Sequence, residues 1–365
     1  MLINCHYVPR LILRHFANEE KIQYCDLDKS KVENRNIKST FSEKGYYPDE
    51  IEKELCYKIE SQFSNLLNNK ILKERYKVSL SRQELFILKK YLIVTAIRFN
   101  VTEGMESVGA HPNIVKSYSK SFYTNINKVL ACVNAEEIFT HLDIDTDEAL
   151  ENASNSDCYG EVKLWANIKN ILHSYIAIVS TDRCKEDLIV PDAGFSYKAT
   201  NIAFGLGGKF DKCMYTLNYA LKSGNPFLLQ MSQMLTPYDY MLFPVAKKMA
   251  IVSFSVFYKF FDNKSGFSGL LPLNGMTVSE LIGFGSSDIV EPPKVKLQNG
   301  KPVGYEYGIK QLSKSDVISL NTAMFNTAEH YFGYCDLEAI KSSLEYYNSL
   351  KKNERRYDLR YILEP

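Results

Sequence analysis

Over residues 21–27, Ile22 and Tyr24 alternate with Lys21 and Gln23, which is the two-residue period of a strand. Residues 28–31 supply a turn and 32–41 a return strand, so a small β-meander is expected here. The period then lengthens to three and four. Ile51, Leu55, Ile59, Phe63, Leu66 and Leu67 predict a helix that starts near Pro48 and Asp49. Ser81 and Glu84 have capping-box spacing and open a second helix that runs through Leu85 to about residue 99. That helix is apolar nearly all round, as befits the centre of a core. Further helices are predicted at 112–131 and 161–175, the latter carrying Leu164, Ile168, Ile171, Leu172 and Tyr175 on one side.

The short β-branched run 176–180 reads as a strand that leads into Thr181 and Asp182. Two more strands are expected at 241–243 and 249–257, around a turn at 244–248. Residues 263–310 are rich in Gly and Pro and read as a surface excursion, with a hairpin turn at Gln298-Asn299-Gly300-Lys301. Helices return at 315–333 and 336–350, and residues 357–363 alternate as a final strand. No repeat or linker divides the chain. The expected fold is one α+β domain over residues 1–365, mostly helical, with a small mixed or antiparallel sheet from 176–180, 241–257 and 357–363. Its parts are the N-terminal motif and meander (1–47), a helical core (48–175), a strand-containing region (176–262), the excursion (263–310) and a C-terminal pair of helices and strand (311–365).

Composition narrows the class. Hydrophobic residues make up 45% and charged ones 24%, which is globular usage and excludes wholesale disorder. A formal charge of +1 provides no global basic field for capturing nucleic acid, which leaves only a local cleft for that purpose. The eight cysteines are scattered with no Cys-x-x-Cys pair, so neither a zinc site nor a redox pair is expected. There is no signal-peptide pattern and no run of eighteen apolar residues; a soluble, cytoplasmic protein with no membrane span is expected.

The chain opens with His6-Tyr7-Val8-Pro9-Arg10-Leu11-Ile12-Leu13-Arg14-His15-Phe16. This run resembles the start of the bacterial family catalogued as domain of unknown function 4238, whose members begin His-Tyr-Val-Pro with Leu and Phe at these offsets. The likeness extends over most of the chain. It takes in the meander, the helix bearing Glu52 and Glu60, the helix ending in Arg98, the strand before Thr181-Asp182, Phe243-Pro244 and Asn321. Two features depart from the family. Asp182 is followed by Arg183-Cys184-Lys185 in place of Asn-Pro, and 263–310 is an elaboration. The resemblance implies an architecture and a set of residues but no mechanism. Its suggested setting is anti-phage defence or a toxin-like effector.

Several polar residues fall where apolar ones are expected. Arg98 lies on the helix face of Ile87, Tyr91 and Val94, and a guanidinium there needs a carboxylate or a phosphate. It reads either as a structural Arg–Glu bridge or as an anion clamp. Glu52 and Glu60 lie on or beside the apolar stripe of their helix, about 80° apart and roughly 12 Å along its axis. On that geometry they do not share one centre without help from another segment. His6 sits among apolar neighbours, beside a backbone that Pro9 keeps extended, and reads as a core histidine or a general base. Asp182 reads as a turn cap or as a functional loop residue. Asn321, inside the stripe of Val317, Met324 and Ala328, must find an internal partner.

Other motifs fail. Gly205-Leu206-Gly207-Gly208-Lys209-Phe210 is not a P-loop, because the leading Gly and the Ser/Thr after Lys are absent. His141 with Asp143, Asp145 and Asp147 lacks the Gly and terminal Glu of a calcium loop. Convergence of His6, Glu60, Arg98, Asp182 and Asn321 would suit a nuclease-like phosphodiester hydrolase. In that site Arg98 would bind phosphate, His6 would act as acid or base, and Glu60 and Asp182 would hold Mg2+ or Mn2+. The rival is a non-enzymatic sensor or protein-interaction module in which the same residues form a structural network. A shared cleft favours the first and a sealed network the second.

Overall fold

The computed structural model describes residues 4–44, 49–98, 171–172, 174–199, 238–254 and 294–364. Strand β1 (Asn4–His6) leads into the one-turn helix α1 (Arg10–Leu13), whose Leu11, Ile12 and Leu13 are all buried. A hairpin follows, β2 (Lys21–Asp26) and β3 (Lys31–Asn36), as the alternation predicts. The next strand, β4 (Ser42–Lys44), pairs with β1 and not with the hairpin, placing His6 opposite Ser42.

A long helical segment comes next: α2 (Asp49–Leu55), a π-helical turn (Cys56–Glu60) and α3 (Ser61–Asn69). Strand β5 (Lys77–Ser81) then enters α4 (Arg82–Arg98) through the predicted capping box. The Glu84 N–H donates to Ser81 Oγ at 3.1 Å, and the Ser81 N–H donates to Glu84 Oε2 at 2.7 Å. Helix α4 packs against α3, β5 and the later β-structure, so most of its faces are covered and its sequence is apolar nearly all round.

Strands β6 (Tyr175–Ser180), β7 (Val190–Pro191), β8 (Ser196–Ala199), β9 (Tyr238–Ala246) and β10 (Met249–Phe254) follow. Then come β11 (Lys294–Gln298), β12 (Lys301–Gln311), α5 (Lys314–Thr327), β13 (Tyr331–Tyr334), α6 (Lys341–Ser349) and α7 (Arg360–Leu363). Seven strands make one sheet in the order β11-β12-β6-β10-β9-β8, with β5 joined to β12. Strand β6 is central; Ile176, Ala177, Ile178 and Val179 are all buried between antiparallel β10 and parallel β12. A second sheet runs β3-β2-β13-β7.

The expectation of a mostly helical chain is therefore corrected: the described residues are 36% helical and 32% strand, arranged in several sheets. Much of the difference lies in the stretch read as a surface excursion, of which 294–310 is described and belongs to the large sheet. Tyr307 and Ile309 point into the core, in a strand whose alternation is diluted by Gly304 and Gly308. Gly304 is there because β5 comes close: a Cβ would lie 2.6 Å from the Leu80 carbonyl oxygen. The predicted turn does form, with Asn299 and Gly300 both at positive φ, as a tight type I′ hairpin requires.

Residues 357–363 are not a strand. Leu359 and Ile362, three apart, are the buried positions, and the chain closes as α7. The helix expected at 315–333 stops at Thr327 because the Asp192 carboxylate accepts from the N–H groups of Glu329, His330 and Tyr331, drawing the chain into β13. The helix expected at 112–131, most of that at 161–175, the Gly205 loop and the His141 turn lie outside the described residues.

Candidate functional site

The opening motif folds as a hinge between β1 and α1. The Tyr7 N–H donates to the Phe41 carbonyl at 3.0 Å, Val8 is buried, and Pro9 (φ −59°, ψ 139°) launches α1. Farther along, the His15 carbonyl accepts from the Lys247 N–H at 3.3 Å, fastening the motif to the β9–β10 turn. His6 is held between these anchors. It is 8% exposed, and its Nε2 lies 3.3 Å from the Ile37 carbonyl. Burial lowers its pKa and favours the neutral ring; the Ile37 bond opposes this, and the charges of Arg10, Glu60 and Arg98 also act on it.

The π turn decides how the two glutamates lie. Its i→i+5 bonding takes up one extra residue, so an eight-residue gap behaves as seven, which is two α-helical turns to within about 20°. Glu52 and Glu60 thus face the same way with Cys56 between them. The Cys56 thiol reaches Glu52 Oε1 at 3.9 Å and Glu60 Oε2 at 3.8 Å. This corrects the expectation from ideal helix geometry that the carboxylates diverge. π turns of this kind recur at functional sites.

Arg98, from the end of α4, closes the group. Its Nη2 donates to Glu60 Oε1 at 2.6 Å, with the two side chains 1% and 16% exposed. Tyr91, about two turns earlier on α4, stacks on Phe63 with ring centroids 3.8 Å apart. Burial raises the pKa of Glu52; Arg98 opposes that shift, Glu60 adds to it, and a bond from the His6 backbone N–H opposes it. The Cys56 thiol is pushed up to about 12 by burial and by Glu60 and Glu52. Such a thiol is a proton holder and not a nucleophile at neutral pH. His6, Glu52, Glu60 and Arg98 therefore form one electrostatically coupled cluster.

The family of proteins of unknown function, DUF4238, matches residues 4–334, most of the chain. The chain belongs to the DUF4238 family. No curated protein and no solved structure matches it. No described helix of this DUF4238 protein is long and apolar enough to cross a membrane.

Two of the residues singled out in the sequence stand elsewhere. Asp182 is exposed on the turn after β6, where its backbone N–H donates to Ser180 Oγ at 3.2 Å. Asn321 is fully buried on α5. Its Oδ1 accepts from the Ile189 N–H at 3.1 Å, and its Nδ2 donates to the Asp187 carbonyl at 2.8 Å and Ser343 Oγ at 3.0 Å. Asn321 clips α5 to α6 and to the chain before β7. Mg2+ or Mn2+ does not fit the proposed ligands. Glu60 is engaged by Arg98, Asp182 lies exposed on the turn after β6, and no group of three His, Cys, Asp or Glu among the described residues could hold a metal ion. Sequence reasoning passed over Cys56 and Arg10. Cys56 is four residues from each glutamate, a spacing that already places it beside both on a helix surface.

Proposed function

We propose that the His6–Glu52–Glu60–Arg98 cluster is the acid–base centre of a phosphodiester hydrolase of nuclease-like type. One observation carries this reading: within a single guanidinium-centred cluster, His6 is displaced toward its neutral form and Glu52 toward its protonated form. Each shift favours the form its role needs, a neutral imidazole for a base and a protonated carboxyl for an acid. His6 takes the proton of the attacking hydroxyl as that oxygen bonds to phosphorus. Glu52 gives its proton to the leaving oxygen as the old P–O bond breaks. Positive charge beside His6, from Arg10 and Arg98, suits an anionic substrate, and Glu60 holds Arg98 in position. The cytoplasm is the compartment we propose, since the described cysteines are free thiols.

The burial of Arg98, 2% exposed, favours a second reading in which the cluster is a structural network inside a sensor or protein-interaction module. Cleavage assays on RNA and DNA separate the two. His6→Ala and Glu52→Gln should each lower the rate by about 10²–10⁴, the size of a lost acid or base, with melts within a few degrees of wild type. A wild-type protein that cleaves neither polymer, with variants that merely unfold, supports the structural network.

A further inference from the structure

The ion pair with Glu60 occupies one end of the Arg98 guanidinium at the bottom of the cluster. Arg10 is differently placed. It is the first residue of α1, four positions after His6 and only partly buried. Its Nε is buried and has no hydrogen-bond partner among the described residues, where its guanidinium forms no ion pair either. A buried charged donor left in this way must be met by water, an ion or a ligand. Glu52 presents a second such atom. The residue is 7% exposed, and its Oε2 is buried with no partner among the described residues.

We propose that Arg10 is the anion anchor of the site, binding a phosphodiester whose second oxygen meets Glu52 Oε2 beside the His6 ring. This rests on the hydrolase reading and names the residue that recognises its substrate. The chemistry matches on both sides. A guanidinium offers a fixed positive charge and forked donors to one anionic oxygen. A carboxyl that burial inclines toward its protonated form donates to another. The His6 imidazole, which burial inclines toward its neutral form, accepts a proton, while the residue's backbone N–H bonds Glu52. Of the charges acting on the His6 ring, that of Arg10 acts most strongly, consistent with a guanidinium that flanks the ring. Arg98 then serves as a positioning residue that holds Glu60 and sets the local charge.

The test follows the His6 ring by NMR in the full chain, with labelled histidine, while dimethyl phosphate is added; the signal is assigned by its loss in His6→Gln. Wild type should show a saturable shift at His6. Arg10→Gln should weaken binding tenfold or more, roughly the loss of one charge-assisted bond, and Arg10→Lys should retain part of it. If Arg10→Gln does not fold, the Arg10→Lys affinity decides. No shift in wild type, or equal affinity in wild type and the Arg10 variants, overturns the proposal. RNA cleavage measured alongside keeps the two ideas apart. Cleavage indifferent to Arg10 removes the anchor and leaves the hydrolase. Binding through Arg10 without wild-type cleavage removes the hydrolase and leaves the anchor.

Discussion

Glu60 and Arg98 are unequal partners once separated. A carboxyl can take up a proton and become neutral, whereas a guanidinium keeps its charge. Glu60→Leu leaves Arg98 charged at 1% side-chain exposure, at a cost of about 3–5 kcal/mol, toward the lower end because Glu52 stays close. Arg98→Met lets Glu60, 16% exposed, protonate or meet water. Thermal melts should therefore show the larger loss for Glu60→Leu; the reverse order would contradict a buried ion pair. Arg98 was legible in the sequence because a guanidinium on an apolar helix face demands a partner. Asn321 stood out for the same reason, but its partners, Ile189, Asp187 and Ser343, come from distant segments that no local pattern names. Asp182 misled because an acidic residue after a buried strand marks a chain exit as readily as a site.

At the scale of elements, the π turn is the feature that ideal periodicity conceals. Counting about 100° per residue sends Glu52 and Glu60 apart, while the observed turn absorbs one residue and keeps Leu55, Ile59, Phe63 and both glutamates in register. Deleting Tyr57, which is 78% exposed, should convert the segment to plain α-helix without rotating α3. Its melt should match or exceed that of wild type. Deleting Lys53, outside the turn, swings Glu52 by about 100° relative to Cys56 and should cost many degrees. Equal damage from the two deletions would show that the turn does not act as a one-residue insertion. The capping box at Ser81–Glu84 and the turn at Asn299–Gly300 were both legible because their chemistry is local. The conversion of 331–334 to β13 was not, since it depends on Asp192 from far along the chain.

Across the whole molecule, the centre sits where two distant pieces of chain meet. The opening motif, fastened to the β9–β10 turn, supplies His6 and Arg10; the α2–α3 segment and the end of α4 supply Glu52, Glu60 and Arg98. The large sheet was underestimated because β6 is buried on both faces and β12 carries glycines, so neither displays a long clean alternation. The central claim is that His6 and Glu52 work as base and acid in this one cluster, and the pH dependence of RNA cleavage tests it most directly. His6 must be neutral, so activity falls as pH drops through its pKa, which lies below 6.5. Glu52 must hold its proton, so activity falls again as pH rises through its pKa, which lies above 4.5. The prediction is a bell-shaped profile whose alkaline limb disappears from the residual activity of Glu52→Gln. A profile without two limbs, or one that Glu52→Gln leaves unchanged, would contradict it.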